Sequence, residues 1–342
     1  MSLRDFGWCF IGSGSITDRV IPDILNYSNG SYPASVYSKT YANARRFADK
    51  YGAAAYETVE GALSDPDVRA AYICTTNPSH MKYAVMALNM GIPVLCEKPA
   101  AMNAHEAREM INAAKRNNTY FMEAMWTRHN PVFKEVIEWV KQGRIGTVRS
   151  LSASFSFSQP YDPGSRLFDI VNGGALLDVG IYTVAFARSV FPDMPVSVKA
   201  CADFTPLGAN SLNAMIFKYA NGAIARLFSG TMADEPNDAY ISGENGHIFI
   251  PRFWAPKRAV LSVVNEAELV FDGCFNGEGF QYEFDAAKDD IVEGRIQNSL
   301  VTHEFTLNVM ELIDKASRLN REVRLENGQD ETAMSDREVI ES

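Results

Sequence analysis

The sequence predicts an α/β fold with a parallel sheet in its first part, followed by a second, α+β domain. Three observations support this. The chain has 342 residues, which at about 150 residues per domain predicts two domains. Strand-like and helix-like segments alternate over residues 1–125, as in parallel sheets covered by helices on both faces. Beyond about residue 145, strand-like runs are broken by Gly, Asn and Pro, which favours a second α+β domain with a mostly antiparallel sheet in residues 126–342.

The elements of the first domain follow in a regular order. Short apolar runs predict strands at Phe6–Ile11 and at residues 34–37, 70–74, 93–96 and 120–124. Apolar residues at helical spacing predict helices at residues 16–26, Tyr41–Tyr51, residues 79–89 and Ala104–Arg116. Crossovers between parallel strands are nearly always right-handed, and we expect the same here.

The second domain has a different pattern. Residues 148–157 alternate, and the side chains expected to face one way are Leu151, Ala153, Phe155 and Phe157. Further strand-like runs occupy residues 212–230 and 247–275, and helices are predicted at residues 174–190 and 303–319. The tail from Glu326 is polar, and we expect it to be loosely ordered.

Charge and composition exclude several functions. The chain has 32 Lys and Arg against 42 Asp and Glu, a net charge of −10, and it lacks the basic run that nucleic-acid binding requires. An acidic surface also repels anionic lipid.

The five histidines and five cysteines show no spacing typical of a metal site, so no metal is predicted. The first apolar run, residues 8–11, is too short to span a membrane or form a signal peptide. We therefore expect a cytoplasmic protein.

A phosphate-binding loop is predicted between the first strand and the first helix. Gly12 permits a tight turn, and Gly14 lets the backbone approach a pyrophosphate at the helix N-terminus. The third small position of this fingerprint is Thr17, so the match is partial, and the string alone fits any strand–helix turn. Its place in an N-terminal βαβ pattern favours dinucleotide binding by residues Gly12, Ser13, Gly14, Ser15 and Ile16.

The end of the second strand indicates which dinucleotide binds. NAD enzymes place an Asp or Glu there to hold the ribose 2′-hydroxyl, but this chain has Ser38, Lys39 and Thr40. A lysine with two hydroxyl groups suits a 2′-phosphate, so we predict NADP as cofactor and keep NAD as possible. The alternative is that Lys39 is a solvated loop lysine.

A strand that ends in Cys96-Glu97-Lys98-Pro99 is unusual. It delivers two charged side chains to the carboxyl end of a buried strand, where ligands bind in α/β sheets. Pro99 stiffens the turn. The alternative is an ordinary Glu–Lys pair at a strand exit.

The sequence resembles the glucose–fructose oxidoreductase / inositol dehydrogenase (Gfo/Idh/MocA) family, and within it the dihydrodiol dehydrogenase and NADP-dependent D-xylose dehydrogenase branch. The resemblance covers nearly the whole chain. It rests on Gly12-Ser-Gly14, Thr76-Asn77-Pro78-Ser-His80, Cys96-Glu97-Lys98-Pro99, Glu123-Ala-Met-Trp126-Thr-Arg128, Arg166-Leu-Phe-Asp169 and Gly173-Gly174-Ala-Leu-Leu-Asp178-Val-Gly-Ile-Tyr182. It implies a Rossmann domain and a second domain whose open sheet forms a homodimer or homotetramer contact.

The resemblance also implies the catalytic residues. Lys98 matches the family lysine beside the nicotinamide and the reacting oxygen, and Tyr182 matches the proton donor or acceptor four residues after Asp178. On a helix these two positions share a face. Alcohol oxidation needs a base for the hydroxyl proton, and a nearby ammonium lowers the pKa of a phenol. Many family members have His in place of Tyr182; the alternative here is a tyrosine with its ring in the core.

The cofactor and substrate sites are predicted to include further residues. Asn77, Pro78 and His80 would line the nicotinamide side, although His80 also suits a helix cap, and Thr75 and Glu97 are also expected to bind the cofactor. The substrate site would include Trp126, Arg128, Phe155, Arg166 and Asp169. The alternatives are a Trp126–Arg128 packing contact at the domain junction and a structural ion pair between Arg166 and Asp169.

The predicted activity is NADP-dependent hydride transfer at a secondary alcohol or carbonyl of a sugar, cyclic polyol or trans-dihydrodiol. A non-catalytic dinucleotide sensor is the alternative, although such a protein would be free to lose Lys98 or Tyr182. A third hypothesis is an oxidoreductase that never releases its cofactor. Such enzymes usually carry an export signal and an N-terminal arm, and we expect a first strand that starts near residue 6 to leave no room for either. The apolar residues Ile248, Phe249, Ile250, Phe253 and Trp254 fit either an exposed dimer face or the core.

Overall fold

The computed structural model describes residues 5–171 and 174–326. The chain divides into two compact units: residues up to Lys134 with Gly273–Leu307, and Glu135–Asp272 with the residues from Asn308 onward. This division is discontinuous and differs from the single boundary predicted after residue 125. Gly173 and the tail after Glu326 lie outside the described residues.

The first unit is built on a six-stranded parallel sheet with the order β3-β2-β1-β4-β5-β6. Its strands are β1 (Phe6–Ile11), β2 (Ser31–Tyr37), β3 (Ala54–Tyr56), β4 (Val68–Ile73), β5 (Val94–Glu97) and β6 (Phe121–Ala124). Every residue of β1 is buried, because helices cover both faces of a parallel sheet. The strand order reverses between β1 and β4, which creates the crevice where ligands bind in such sheets.

The helices of this unit confirm the predicted alternation. They are α1 (Thr17–Tyr27), α2 (Tyr41–Tyr51), α3 (Val59–Leu63), α4 (His80–Asn89) and α5 (Ala104–Arg116). Local signals explain their ends: Asn103 caps α5 by accepting the Glu106 N–H at 2.9 Å, and α2 ends at Gly52 with a φ of 75°. The short elements β3 and α3 were not predicted, since three to five residues carry too little periodicity.

The second unit contains an eight-stranded sheet with the order β14-β13-β12-β11-β7-β10-β9-β8. Its strands are β7 (Val148–Ser156), β8 (Ser197–Phe204), β9 (Asn210–Lys218), β10 (Ile224–Gly230), β11 (Ala239–Gly243), β12 (Gly246–Ile250), β13 (Arg258–Val263) and β14 (Leu269–Asp272). Neighbours pair antiparallel except β7 with β10. The predicted fold class is therefore confirmed in both parts.

Burial within this sheet bears on the predicted facing of β7 and on the choice between core and dimer face. Leu151, Ala153 and Phe155 of β7 are buried as predicted, whereas Phe157 follows the strand and is half-buried. Ile248, Ile250 and Phe253 are also buried, so these three belong to the core and not to an exposed dimer face. Phe249 and Trp254 are half-buried.

The remaining helices explain the discontinuous division. They are α6 (Pro131–Lys141), α7 (Ile181–Val190), α8 (Gln281–Val292) and α9 (His303–Glu326). The segment before α8 is fixed to α1, because the buried carboxylate of Asp23 accepts the N–H groups of Glu278, Gly279 and Phe280 at 2.9–3.0 Å. Phe284 of α8 packs edge-on against Trp8, with ring centroids 4.8 Å apart. Neither α6 nor α8 was predicted, nor were β8 and β11. No described helix is both long and apolar enough to cross a membrane.

Candidate active site

The loop after β1 has the geometry that close approach to a phosphate requires. Gly12 has a φ of 115°, and a Cβ there would lie 2.6 Å from the carbonyl oxygen of Cys74, so no other residue fits without a backbone shift. Its N–H donates to the carbonyl of Tyr37 at 2.9 Å. At Gly14, by contrast, a Cβ would meet nothing within 4 Å. That open cradle fits the pyrophosphate of a dinucleotide.

The start of α1 adds an anion-binding dipole to this cradle. The helix begins at Thr17, whose hydroxyl donates to the carbonyl of Gly14 at 2.7 Å and so fixes the turn. The preceding residues, Ser15 and Ile16, lead into the positive end of the helix. Ser13 Oγ donates to Ser38 Oγ at 2.9 Å, which ties this loop to the end of β2.

The residues after β2 are open to solvent and carry no carboxylate. Ser38 is half-buried, while Lys39 and Thr40 are exposed. Their side chains therefore have room to meet the ribose of a bound dinucleotide. This surrounding fits a 2′-phosphate better than it fits the free 2′-hydroxyl of NAD, for which no acidic partner is present.

The turn that carries Lys98 is held by buried carboxyl groups. The Lys98–Pro99 peptide is cis. Glu97 accepts the Lys98 N–H at 3.1 Å and also the hydroxyl of Tyr72. The carboxyl of Glu123 accepts the Ala100 N–H at 3.0 Å. Glu97 was predicted to bind the cofactor; in the structure its buried carboxyl holds the Lys98 turn.

Burial controls the protonation of both carboxyls. Burial raises the pKa of Glu97, against the opposing effects of the Tyr72 hydrogen bond and the Lys98 charge. It also raises the pKa of Glu123 to about 7, because the hydrogen bonds from Ala100 and Thr306 offset only part of the burial cost. Glu97 and Glu123, which hold the Lys98 turn, thus both have raised pKa values. Residues with strongly shifted pKa values are concentrated at functional sites.

His80 connects two loops of the predicted cofactor site. Its ring is fully buried, with Nδ1 2.9 Å from the carbonyl oxygen of Pro99 and Nε2 3.0 Å from that of Thr75. Burial lowers its pKa. The side chain is not the cap of α4, since neither ring nitrogen bonds to that helix. The neighbouring 3-10 turn begins at Asn77, which is also buried, and includes Pro78.

Trp126 and Arg128 each pack against an aromatic ring from the segment that returns to the first unit. Trp126 is buried, with its ring centroid 4.7 Å from that of Phe280. The guanidinium of Arg128 lies 3.9 Å from the ring centroid of Phe305. Neither partner could be predicted from local sequence, because both lie more than 150 residues away along the chain.

In the second unit, Asp178 lies in a π-helical turn. This turn, Leu176–Gly180, leads directly into α7, and π-helical turns inside helices are frequent at functional sites. Arg166 pairs with Asp178 at 3.4 Å. Asp169, the partner of Arg166 in the alternative ion pair, accepts the Val171 N–H at 2.8 Å.

Tyr182 of α7 belongs to an aromatic group. Its ring centroid lies 5.4 Å from that of Phe155 and 6.4 Å from that of Trp254. Phe155 and Trp254 stack at 4.7 Å with an interplanar angle of 5°. Trp254 was not among the predicted site residues; the strand pattern around it indicated only core or dimer face. Within the described residues, no three His, Cys, Asp or Glu side chains are grouped to hold a metal ion.

Comparison with known proteins gives two family matches. Residues 6–125 match the oxidoreductase family with an NAD-binding Rossmann fold, and residues 133–249 match the GFO/IDH/MocA C-terminal domain. The trans-1,2-dihydrobenzene-1,2-diol dehydrogenase of Danio rerio is 30% identical over 299 residues, which cover 83% of this chain and 87% of that protein. Its Xenopus laevis counterpart is 33% identical over 272 residues, covering 77% and 81%.

Solved structures share the fold. An aldose-aldose oxidoreductase from Caulobacter crescentus, complexed with glycerol, aligns with a TM-score of 0.85 and 24% identity, covering 94% of this chain and 99% of that one. A 3-ketoreductase from Actinomadura kijaniata, in complex with NADP and TDP-benzene, aligns with a TM-score of 0.82 and 22% identity, covering 92% and 98%. At these identities the likeness establishes the fold alone.

Proposed function

This chain belongs to the GFO/IDH/MocA family of NAD(P)-dependent oxidoreductases, and on that premise we propose that it uses NADP to interconvert a secondary alcohol and its carbonyl on a ring substrate. The substrate class is a sugar, a cyclic polyol or a trans-dihydrodiol. The observation that carries the proposal is the Lys98 turn, fixed by Glu97 and Glu123 at the carboxyl end of the sheet. A rigid, charged turn at that edge is suited to chemistry on a ligand.

Three side chains have separate roles in the proposed reaction. The nicotinamide supplies the hydride acceptor or donor when it is bound. Tyr182 Oη takes the hydroxyl proton during oxidation and returns it during reduction. Lys98 Nζ stabilises the negative charge that develops on the substrate oxygen. Asp178, which is paired with Arg166, orients the substrate hydroxyls.

The choice of NADP follows from the end of β2. Lys39 supplies the positive charge for a 2′-phosphate, and the hydroxyls of Ser38 and Thr40 supply hydrogen bonds. Ser38 is already fixed to the phosphate loop through Ser13. No carboxylate follows β2 that would repel the phosphate or select NAD.

The aromatic group around Tyr182 favours a ring substrate. The parallel faces of Phe155 and Trp254 provide flat apolar area for one side of a pyranose or carbocycle, while the Tyr182 hydroxyl meets the reacting oxygen. Two similar proteins carry names that fit this class, a trans-1,2-dihydrobenzene-1,2-diol dehydrogenase and an aldose-aldose oxidoreductase.

We further propose that two copies of the chain associate through the open sheet. Strand register places Ile216, Arg226, Ser152, Tyr240, Phe249, Val260 and Val270 in one row across the outer face. Ile216 is 49% and Tyr240 43% exposed. A large apolar patch is costly on a monomer and typical of an interface. Light scattering should give a dimer or tetramer for the native chain and a smaller species for Tyr240→Asp.

The cysteines bear on where the protein works. All five are free thiols, and three of them are buried. A chain with unpaired thiols suits a reducing compartment, so we propose that the protein acts in the cytoplasm.

The test of the function is absorbance at 340 nm with purified protein. NADP and NAD are offered separately against aldoses, inositols and cyclic trans-diols. Turnover of one class with NADP supports the proposal. Tight NADP binding without turnover of any compound would favour a non-catalytic sensor, and failure to bind either dinucleotide would overturn the argument from Gly12 onward.

A further inference from the structure

A second exposed lysine, Lys82, lies near the end of β2. Lys82 is in the first turn of α4, the helix that follows β4, whereas Lys39 follows β2. In the sheet, β2 and β4 are the two neighbours of β1. The residues that follow these strands therefore flank the loop after β1 on opposite sides, at the edge where dinucleotides bind.

A pair of tyrosines links Lys82 to the end of β2. Tyr37 is the last residue of β2 and Tyr83 follows Lys82, and their ring centroids lie 6.0 Å apart with an interplanar angle of 61°. The ammonium of Lys82 lies 5.3 Å from the centre of the Tyr83 ring. Tyr37 itself is fixed to the phosphate loop, because its carbonyl accepts the Gly12 N–H. The chain of contacts thus runs from Lys82 to the start of the segment that carries Lys39.

The charges around this pair are consistent with that placement. The pKa of Tyr37 is raised chiefly by burial and by its hydrogen bond with Tyr83, and the charge of Lys82 acts in the opposite direction. Glu60 of α3 also raises that pKa, so one carboxylate faces the same group.

We propose that Lys82 is a second residue that recognises the 2′-phosphate of NADP, held beside Lys39 by the Tyr37–Tyr83 pair. The proposal rests on the proposed use of NADP. A phosphate monoester carries a charge of about −1.5 to −2 at pH 7, so two ammonium groups match it. Both Lys39 and Lys82 are exposed, which leaves their ammonium groups accessible to a ligand.

The test compares ligands that differ only in the 2′-phosphate. Calorimetry gives Kd values for 2′,5′-ADP against 5′-ADP, and for NADP against NAD, with the native protein and with Lys82→Gln. We expect affinity for the phosphorylated ligands to fall about tenfold, the effect of one charge contact of about 1.4 kcal/mol at a protein surface. Affinity for 5′-ADP and NAD should change less than about twofold.

A matched control and a second variant make the result decisive. Lys50→Gln removes another exposed lysine of the same unit, one that pairs with Asp18 at 2.7 Å, and should leave all four Kd values unchanged. Lys39→Gln should reduce the preference for NADP independently of Lys82. If Lys39→Gln acts but Lys82→Gln does not, or if Lys82→Gln weakens all four ligands equally, the role of Lys82 is refuted while the proposed function stands. If the native protein shows no preference for the 2′-phosphate, the proposed use of NADP fails as well.

Discussion

Replacing Glu123 by Gln should change how stability depends on pH. The Glu123 carboxyl is fully buried between the Ala100 N–H and the Thr306 hydroxyl, at 3.0 Å from each. Gln keeps an acceptor for Ala100 and offers Thr306 a donor in place of an acceptor. The substitution therefore removes the ionisation and keeps the shape.

The magnitude follows from the pKa. Burial raises the pKa of Glu123 from 4.5 to about 7, and each pH unit between these values corresponds to about 1.4 kcal/mol. Because the folded state holds the proton more tightly, the native protein loses up to about 3 kcal/mol of stability as pH rises from about 4.5 to about 7. Glu123→Gln does not lose this amount, so its stability relative to the native protein should increase across that range.

The assay is urea unfolding of both proteins at pH 5, 6, 7 and 8. The difference in unfolding free energy between variant and native protein should rise by about 2.5 kcal/mol from pH 5 to pH 8. Glu57→Gln, at an exposed position, is the control and should show a constant difference. Parallel pH profiles for Glu123→Gln and the native protein would refute the reasoning.

Three further predictions concern the site. Gly12→Ala places a Cβ 2.6 Å from the carbonyl oxygen of Cys74, so NADP binding measured by fluorescence should weaken at least about tenfold, and an unchanged Kd would show that the loop tolerates the methyl group. Trp254→Ala removes one face of the aromatic group and should raise KM for a ring substrate by about three- to tenfold with little change in kcat; an equal effect on an acyclic alcohol would contradict the assignment. Tyr182→Phe should lower kcat by about 100-fold or more while the Kd for NADP stays constant, and native turnover by this variant would exclude Tyr182 as the proton relay.

Much of the first unit can be predicted because short sequence segments carry the signals for its helix ends and turns. The limits of α2 and α5 follow from their own residues, such as the cap at Asn103 and the left-handed Gly52. The tight turn at Gly12 and the charged turn at Lys98 are also encoded within a few residues. Each of these features is signalled within one short segment, although the Lys98 turn is also held by Tyr72 and Glu123.

The parts that were missed depend on contacts distant in sequence. The return of residues 273–307 to the first unit rests on Asp23, whose carboxylate accepts three N–H groups more than 250 residues away. The stacking of Trp254 on Phe155 and the packing of Trp126 on Phe280 are likewise set by tertiary structure. Helical spacing predicts that Asp178 and Tyr182 share one helical face, but it did not reveal that Asp178 lies in a π-helical turn and Tyr182 in the α-helix that follows it.

The central claim is that this chain transfers a hydride between the nicotinamide and carbon of a ring substrate. The most direct measurement uses NADPH deuterated at C4 with the carbonyl forms of the aldose, inositol and trans-diol panel, followed by NMR of the products. We expect deuterium on the carbinol carbon of one substrate class, and labelling at least about 100-fold slower with Tyr182→Phe. Deuterium that remains in the cofactor with every compound offered, under conditions where NADPH is bound, would contradict it.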